Sequence, residues 1–237
     1  MKMRTAITIA AATALTLGSA GFSAAQQLSG DERDRIQNSA AIIHELGATP
    51  DNDIPQTIWD KAQCVIVVPQ LKKAAFLVGG EYGRGLMSCR RGSGWSSPIF
   101  MELEKGSWGF QIGAEQIDLV LLVMNERGVQ RILGDKVTLG AEASATAGPV
   151  GRTAAAETDA QLSAEVLSYS RSQGLFAGVD VSGGVLKTDD RANGNLYGSG
   201  ISAKDIVAGE RFRTVPAAAR AFTNALARGP VATSGQK

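Results

Sequence analysis

Short β-branched and apolar runs that fill the middle of the chain constrain the fold more than any other feature. The first, at residues 64–68, reads Cys-Val-Ile-Val-Val, and those after it are divided by Gly, Ser and Pro. Short runs at intervals of about 8–12 residues are typical of antiparallel sheets. We therefore predict strands at residues 64–68, 75–78, 86–90, 99–103, 108–112, 117–124, 137–147, 164–169, 175–181 and 185–187.

Helical patterns lie on both sides of these runs. Ser29 and Glu32 have the spacing of a capping box, apolar residues recur at helical spacing to Leu46, and Gly47 is a stop signal. Shorter helices are predicted at residues 55–62 and 125–133, from residue 202, and at 216–228. We therefore predict one α+β domain. It has mainly antiparallel β structure, barrel- or sandwich-like, with N-terminal helices and a C-terminal helix.

The first 25 residues have the pattern of a secretory signal peptide. Lys2 and Arg4 precede an apolar stretch at residues 6–20, and the small residues 23–25 follow it. The stretch is shorter than the roughly 20 residues that a membrane-spanning helix needs. We expect cleavage after Ala25, a single domain at residues 26–237 and a periplasmic location, peripheral to a membrane. A retained anchor helix is the alternative.

The chain has two cysteines and one histidine. In an oxidising compartment, Cys64 and Cys89 favour one structural disulfide, and their spacing is not the C-x-x-C of a redox pair. So few Cys and His residues exclude most zinc sites. His44 lies near the end of a predicted helix, where it can interact with terminal carbonyls. We expect no catalytic residues, no metal and no cofactor.

Charge argues against a nucleic-acid partner. Lys and Arg number 24 against 23 Asp and Glu, a formal net charge of +1, and nucleic-acid binders carry a marked basic surplus. Basic residues nevertheless cluster loosely at Lys72, Lys73, Arg84, Arg90 and Arg91. These residues form either a solvated face or a surface that attracts anionic phospholipid.

Three glycine- or serine-rich motifs each allow two interpretations. Residues 79–85 are rich in glycine, but a strand-like run follows them where a nucleotide loop needs a helix. We therefore predict a strand crossing or a bulge there. Residues 148–152 form either a turn or an anion site ending in Arg152. The Ser-Tyr-Ser-Arg-Ser run around Arg171 forms either a polar network between strands or part of a site.

Taken together and in this order, the motifs resemble those of the SYLF-domain family, whose lipid-binding members occur in bacteria and eukaryotes. The resemblance covers about residues 62–207 and implies a compact sheet-rich domain that binds membrane lipid. The bacterial exported branch is the most similar, including the placement of the two cysteines. The motifs lie at residues 79–85, 94–98, 109–113, 148–152, 168–171, 174–178, 192–193 and 197.

The resemblance does not extend to every activity of the family. Eukaryotic relatives bind phosphoinositides with the help of a basic amphipathic segment, and some act on actin. Here the first helix begins with Asp31-Glu-Arg-Asp34 and is not a basic amphipathic membrane helix. An exported bacterial protein also meets neither actin nor, usually, phosphoinositides, so we do not extend actin regulation to this chain.

We expect a non-enzymatic exported protein that binds anionic phospholipid at the membrane surface. The alternative is a structural or protein-interaction module of the envelope, with a protein partner and no lipid ligand. The expected headgroup contacts are Arg84, Arg152 and Arg171, and the residues expected to add electrostatic attraction are Lys72, Lys73, Arg90 and Arg91.

Overall fold

A computed structural model describes most of the chain after the N-terminal segment. The described residues are 28–46, 53–76, 78–108, 113–134, 136–151, 163–172, 174–210 and 212–230. The helices are α1 (Gly30–His44), α2 (Gln56–Lys61), α3 (Glu126–Ile132), α4 (Asp190–Tyr197), α5 (Ala203–Ala208) and α6 (Arg220–Arg228), with a 3₁₀ helix (Ala217–Ala219) before α6. The predicted signal peptide lies outside the described residues.

Strands in the described ranges form one curled sheet. Its order is β6-β10-β4-β2-β1-β5-β8-β7, with β3 beside β2 and β9 beside β8. All pairs are antiparallel except β7 with β8. This curled sheet, together with the helices, confirms the predicted α+β class. The strands are β1 (Cys64–Phe76), β2 (Val78–Arg91), β3 (Gly94–Trp95), β4 (Ile99–Trp108), β5 (Gly113–Val123), β6 (Lys136–Thr138), β7 (Ala145–Ala147), β8 (Val166–Ser172), β9 (Leu175–Gly178) and β10 (Val185–Thr188).

The first two strands are longer than their sequence patterns predict. We expected a strand to end before Pro69 and another to end before Gly79, but β1 and β2 continue through both positions. The ladder is interrupted at Pro69, where the register with β2 shifts between Val67 and Lys72. Proline is tolerated at such a bulge because no ladder hydrogen bond is needed there. Gln70, in the same bulge, has a positive φ of 51°.

Glycines of β2 allow it to approach the bulged strand closely. A side chain at Gly83 would collide with Val68, and one at Gly85 would collide with the Val67 carbonyl group. Residues 79–85 therefore belong to a strand, as predicted, and side chains would not fit at two of their glycines, but the bulge itself lies in β1. The missing side chains make room for the neighbouring strand.

The hydrophobic core is centred on β1 and its neighbours. Val65, Ile66, Val67 and Val68 are fully buried, as expected for a strand covered on both faces. Cys64 lies opposite Cys89 in the register, and the two form the predicted disulfide.

All five predicted helices are present, and one helix of the described residues was not predicted. Ser29 and Glu32 form the predicted capping box of α1, and Asn125 caps α3 as expected. The missed helix is α4, which the side chain of Asp189 caps by accepting a hydrogen bond from the backbone N–H of Ala192. Its interior contains Gly194, a poor helix former, so local propensity alone does not predict it.

Candidate functional site

An open cavity separates the N-terminal part of α1 from the bulge of β1. Its volume is about 480 Å³. Helix residues form one wall and strand residues the other, and we call it the bulge cavity. Its helix wall consists of Asp31, Asp34, Arg35 and Asn38, and its strand wall consists of Pro69, Gln70, Lys72, Tyr82, Gly83 and Arg84.

The strand wall carries two cations beside an exposed aromatic ring. Lys72 of β1 is exposed and lies opposite Tyr82 of β2 in the register. The Arg84 Nε donates to the Tyr82 hydroxyl at 2.7 Å, and Arg84 lies 3.7 Å from a carboxylate oxygen of Glu102. The hydrogen bond with Tyr82 raises the pKa of Arg84. The Arg84 guanidinium therefore stays charged, and the hydrogen bond with Tyr82 fixes its orientation in the wall of the cavity.

The bulge determines which residues of β1 reach the cavity. Gln70 adopts the positive φ of the bulge, and its backbone N–H donates to Asp118 of β5 at 3.0 Å. Beyond the bulge, the register with β2 resumes at Lys72. A bulge adds a residue to one strand and changes which side chains share a face. Residues 64–69 are all buried, whereas beyond them Gln70 and Lys72 are exposed on either side of the buried Leu71.

The helix wall carries two exposed carboxylates and one buried arginine. Asp31, Asp34, Arg35 and Asn38 have the i, i+3, i+4, i+7 spacing of one helix face. Asp31 and Asp34 are exposed. These residues were not predicted as part of the site, although their polar spacing was a signal for a shared face. It could not indicate what the face meets.

A buried ion pair fixes the helix wall to the rest of the fold. Arg35 Nη1 lies 2.9 Å from Asp189, and their side chains are only 6% and 7% exposed. The Arg35 guanidinium also lies 5.1 Å from the centre of the Phe100 ring. Asn193 of α4 pairs with both backbone groups of Phe100, at 2.8 and 3.1 Å. These contacts link α1, α4 and β4.

The C-terminal end of α1 is held by a second charged cluster. Arg171 of β8 forms ion pairs with Asp118, at 2.7 Å, and with Glu45 at the end of α1. The Arg171 side chain is 17% exposed, and burial lowers its pKa. Two carboxylates already contact it. The role of Arg171 in headgroup binding stays a prediction.

Arg90 and Arg91 lie at the other end of β2. Arg90 donates to the carbonyl groups of Ala62 and Trp59, both at 2.9 Å, and lies over the Trp95 ring. Arg91 is exposed, and its guanidinium packs against Gly209. These two cations are therefore separated from Lys72 and Arg84 by the buried part of the strand pair. The other two predicted site residues are not located: Arg152, and the side chain of Lys73, lie outside the described residues.

The remaining motifs serve close packing between strands. Tyr169 of β8 is fully buried, and a side chain at Gly148 would overlap its ring. Gly178 lies opposite Tyr169 in the register and against the Gly148 carbonyl group. These glycines make room for one buried ring, which favours the structural interpretation of both motifs.

The side chain of Tyr197 in α4 is also buried and contributes to packing. Its hydroxyl donates to the carbonyl of Pro98, its ring makes an edge contact with Phe212, and burial raises its pKa.

Two further properties of the described residues bear on function. Their His, Cys, Asp and Glu side chains form no group of three or more that is suited to hold a metal ion. No helix within the described ranges combines the length and apolar character that crossing a bilayer requires.

Comparison with known proteins identifies the family. The family described as "Ysc84: Las17-binding protein actin regulator" matches residues 104–229. The chain is 36% identical over 171 residues to "SH3 domain-containing YSC84-like protein 1" of Xenopus laevis, covering 71% of this chain and 51% of that protein. It is 34% identical over 192 residues to the Homo sapiens protein of the same name, covering 78% and 56%.

A third relative comes from yeast. "Protein YSC84" of Saccharomyces cerevisiae is 34% identical over 172 residues, covering 71% of this chain and 36% of that protein. The chain thus spans between 36% and 56% of the length of these three relatives.

This chain belongs to the Ysc84 family, whose domain is the SYLF domain, and the predicted resemblance to that family is confirmed. Membership of an exported bacterial branch stays a prediction. The family match begins at residue 104, so it does not include the residues that line the bulge cavity. Any role of that cavity must be argued from its own geometry.

Proposed function

We propose that this protein binds the phosphate groups of anionic phospholipid at a membrane surface and catalyses no reaction. The observation that carries the proposal is the strand wall of the bulge cavity. There Lys72 and Arg84 lie beside Tyr82, which is 38% exposed. The cations are on rigid strands and open to solvent. They can therefore meet a headgroup without first breaking a buried contact.

The residue types on this wall suit a lipid phosphate. A guanidinium presents a planar set of N–H donors that matches phosphate oxygens, and an ammonium adds a compact point charge. Tyrosine is enriched where a membrane meets water because its ring is apolar and its hydroxyl is polar. Each basic residue near an anionic membrane contributes about 1 kcal/mol of attraction. Two such cations give weak, salt-sensitive, peripheral binding.

The proposed location is the bacterial periplasm, next to the membrane. The pattern of the first 25 residues supports export. Two basic residues precede an apolar stretch, and a cleavage site of small residues follows it. The disulfide also fits an oxidising compartment. N-terminal sequencing of the protein recovered from a periplasmic fraction tests this part, with Gln26 as the expected first residue.

Co-sedimentation with vesicles tests the lipid proposal. We expect the protein to pellet with phosphatidylglycerol vesicles at low salt and to be released at high salt, since exposed charges are screened over about 8–10 Å at physiological ionic strength. We expect no more than background binding to phosphatidylcholine. Absence of binding to every anionic vesicle would contradict the proposal.

A matched pair of variants separates this site from general charge. Removing Lys72 and Arg84 together (K72A with R84A) is expected to weaken vesicle binding about tenfold or more. The control removes the exposed cations Lys136 and Arg228 (K136A with R228A), which lie on β6 and α6, away from the cavity lining. Equal losses in both double variants would mean that net charge, and not the bulge cavity, drives binding.

A protein partner is the second candidate ligand. Asp31 and Asp34 line the same cavity as the cations, so the cavity also presents both signs of charge to a polypeptide. The family's description names a protein, Las17, as a ligand. A pull-down from envelope extract that recovers one stoichiometric protein, together with no vesicle binding, would favour this candidate over the lipid.

A further inference from the structure

The two walls of the bulge cavity carry opposite charges that do not meet. Asp31 and Asp34 lie on the helix wall, and Lys72 and Arg84 lie on the strand wall. Among the described residues, the only ion pair that Arg84 forms is with Glu102, and no ion pair joins either aspartate to either cation. The cavity therefore keeps two carboxylates and two cations apart across a gap of solvent.

This gap is maintained by contacts outside the charges themselves. Arg35 belongs to the same helix wall as the two aspartates and Asn38. Its side chain is held in the buried ion pair with Asp189. Arg84 is oriented by the hydroxyl group of Tyr82. Because each wall is held by its own neighbours, the carboxylates cannot simply move across to neutralise the cations.

A ligand that fits such a cavity carries both a negative group and a positive group. We propose that the bulge cavity recognises a headgroup with both a phosphate and a primary ammonium, as in ethanolamine or serine phospholipids. The inference rests on the proposed function and specifies its headgroup. The phosphate binds Lys72 and Arg84, and the ammonium donates hydrogen bonds to Asp31 and Asp34.

The carboxylates also disfavour other headgroups. An anionic group that reaches the helix wall without an ammonium beside it would be repelled by Asp31 and Asp34, whereas the carboxylate of a serine headgroup shares its carbon with the ammonium that these aspartates attract. A choline group carries a positive charge but has no N–H donor, so it forms no hydrogen bond with a carboxylate. A glycerol headgroup has no positive charge at all. The helix wall therefore determines specificity, and the strand wall contributes most of the attraction.

Vesicles matched in charge test the inference. Phosphatidylserine and phosphatidylglycerol carry the same net charge, and phosphatidylethanolamine and phosphatidylcholine are both neutral overall. Each lipid is included in a phosphatidylcholine background at equal mole fraction. We expect about fivefold tighter binding to phosphatidylserine than to phosphatidylglycerol, which corresponds to about 1 kcal/mol. Phosphatidylethanolamine is expected to increase binding over phosphatidylcholine alone, and this arm identifies which of the two aminolipids is the better ligand.

A double variant of the helix wall makes the test specific. Replacing both aspartates (D31N with D34N) is expected to abolish the preference for phosphatidylserine and to leave or improve binding to phosphatidylglycerol. The control replaces two exposed aspartates on other helices (D60N with D205N) and is expected to keep the preference. Thermal unfolding of all variants checks that they are folded.

The two proposals fail in different ways. Equal or tighter binding to phosphatidylglycerol by the unmodified protein would overturn the ammonium inference while leaving phospholipid binding intact. Retention of the phosphatidylserine preference in the D31N and D34N double variant would also overturn it. Absence of binding to all four lipids would overturn both proposals together.

Discussion

The strand pair β1–β2 differs sharply on the two sides of its bulge. On one side, residues 64–68 of β1 and 85–89 of β2 are buried and joined by the Cys64–Cys89 disulfide; we call this the buried half. On the other side, Lys72 of β1 and Tyr82, Gly83 and Arg84 of β2 line the bulge cavity, and Gly80 is exposed; we call this the open half. The same two strands thus provide both the centre of the core and the candidate site.

The difference shows how one bulge separates a buried core from an accessible charged surface. In the buried half, side chains on both faces are covered, so their contribution is hydrophobic burial. In the open half, charged groups are accessible and contribute little to stability because water solvates them. Residues of the buried half are therefore expected to affect the free energy of unfolding, and residues of the open half to affect binding.

The largest expected effect comes from removing the ion pair that holds α1 over the open half. Replacing Asp189 with Ala (D189A) leaves the Arg35 charge buried without its partner, which costs roughly 3–5 kcal/mol of unfolding free energy. It also removes the cap of α4. Chemical denaturation measures the loss. The neighbouring exposed Asp190 (D190A) is the control, and a loss at Asp189 no larger than at Asp190 would contradict the account.

The disulfide of the buried half ranks next. Replacing both cysteines (C64A with C89A) opens a loop of 25 residues, and the expected loss is about 3 kcal/mol. Binding to anionic vesicles at a temperature where the variant is folded should be unchanged, because the disulfide lies at the other end of the strand pair. A loss of binding without a loss of stability would contradict the separation of the two halves. Thiol labelling of the unreduced, denatured protein should find no free thiol.

Substitutions at two glycines of β2 allow the two halves to be compared within one strand. A methyl group at Gly85 would collide with the Val67 carbonyl, whereas one at Gly80 would meet only the Lys105 carbonyl at 3.8 Å. We expect G85A to lower the unfolding free energy by roughly 1–3 kcal/mol. The control G80A should leave the unfolding free energy unchanged, because the added methyl group makes only an ordinary van der Waals contact. Equal losses in denaturant titrations would show that the bulge does not require the close approach.

The smallest expected effect on stability belongs to the open half. The K72A and R84A double variant should change the unfolding free energy by less than about 0.5 kcal/mol, as is usual for accessible surface residues. Denaturant titration measures this directly. A loss of several kcal/mol would mean that these cations support the fold, and their effect on vesicle binding would then have a different explanation.

Local signals in the sequence were sufficient to predict the elements whose ends are determined by residues close to them in the chain. The capping box at Ser29 and the cap at Asn125 predicted α1 and α3, and the two cysteines predicted the disulfide. The long strands β1 and β2 were not predicted, because Pro69 and the glycines after it were interpreted as strand ends. Those residues lie within the strands because Pro69 is tolerated at the bulge of β1 and the glycines allow β2 to approach it closely. The bulge forms only when the partner strands are in place.

The bulge cavity itself was predicted only in part. Lys72 and Arg84 were identified as basic residues, but nothing local connects them with Asp31 and Asp34, which lie about 40 positions or more away in the chain. The helix is held there by the burial of apolar residues such as Ile36 and Ile43 and by the pair Arg35–Asp189, whose partners are 154 residues apart. Long-range pairs of this kind are set by the complete fold, so a pattern within a short window does not indicate them.

The most direct test of the account compares two double variants on the same strands. One removes the open-half cations (K72A with R84A), and the other removes the two arginines at the buried end (R90A with R91A), which were also expected to attract lipid. Each is measured by co-sedimentation with phosphatidylserine vesicles, after thermal unfolding confirms that it is folded. We predict a loss of about tenfold or more for the first and about threefold or less for the second. Equal losses, or a larger loss at Arg90 and Arg91, would contradict the claim that the open half is the binding site.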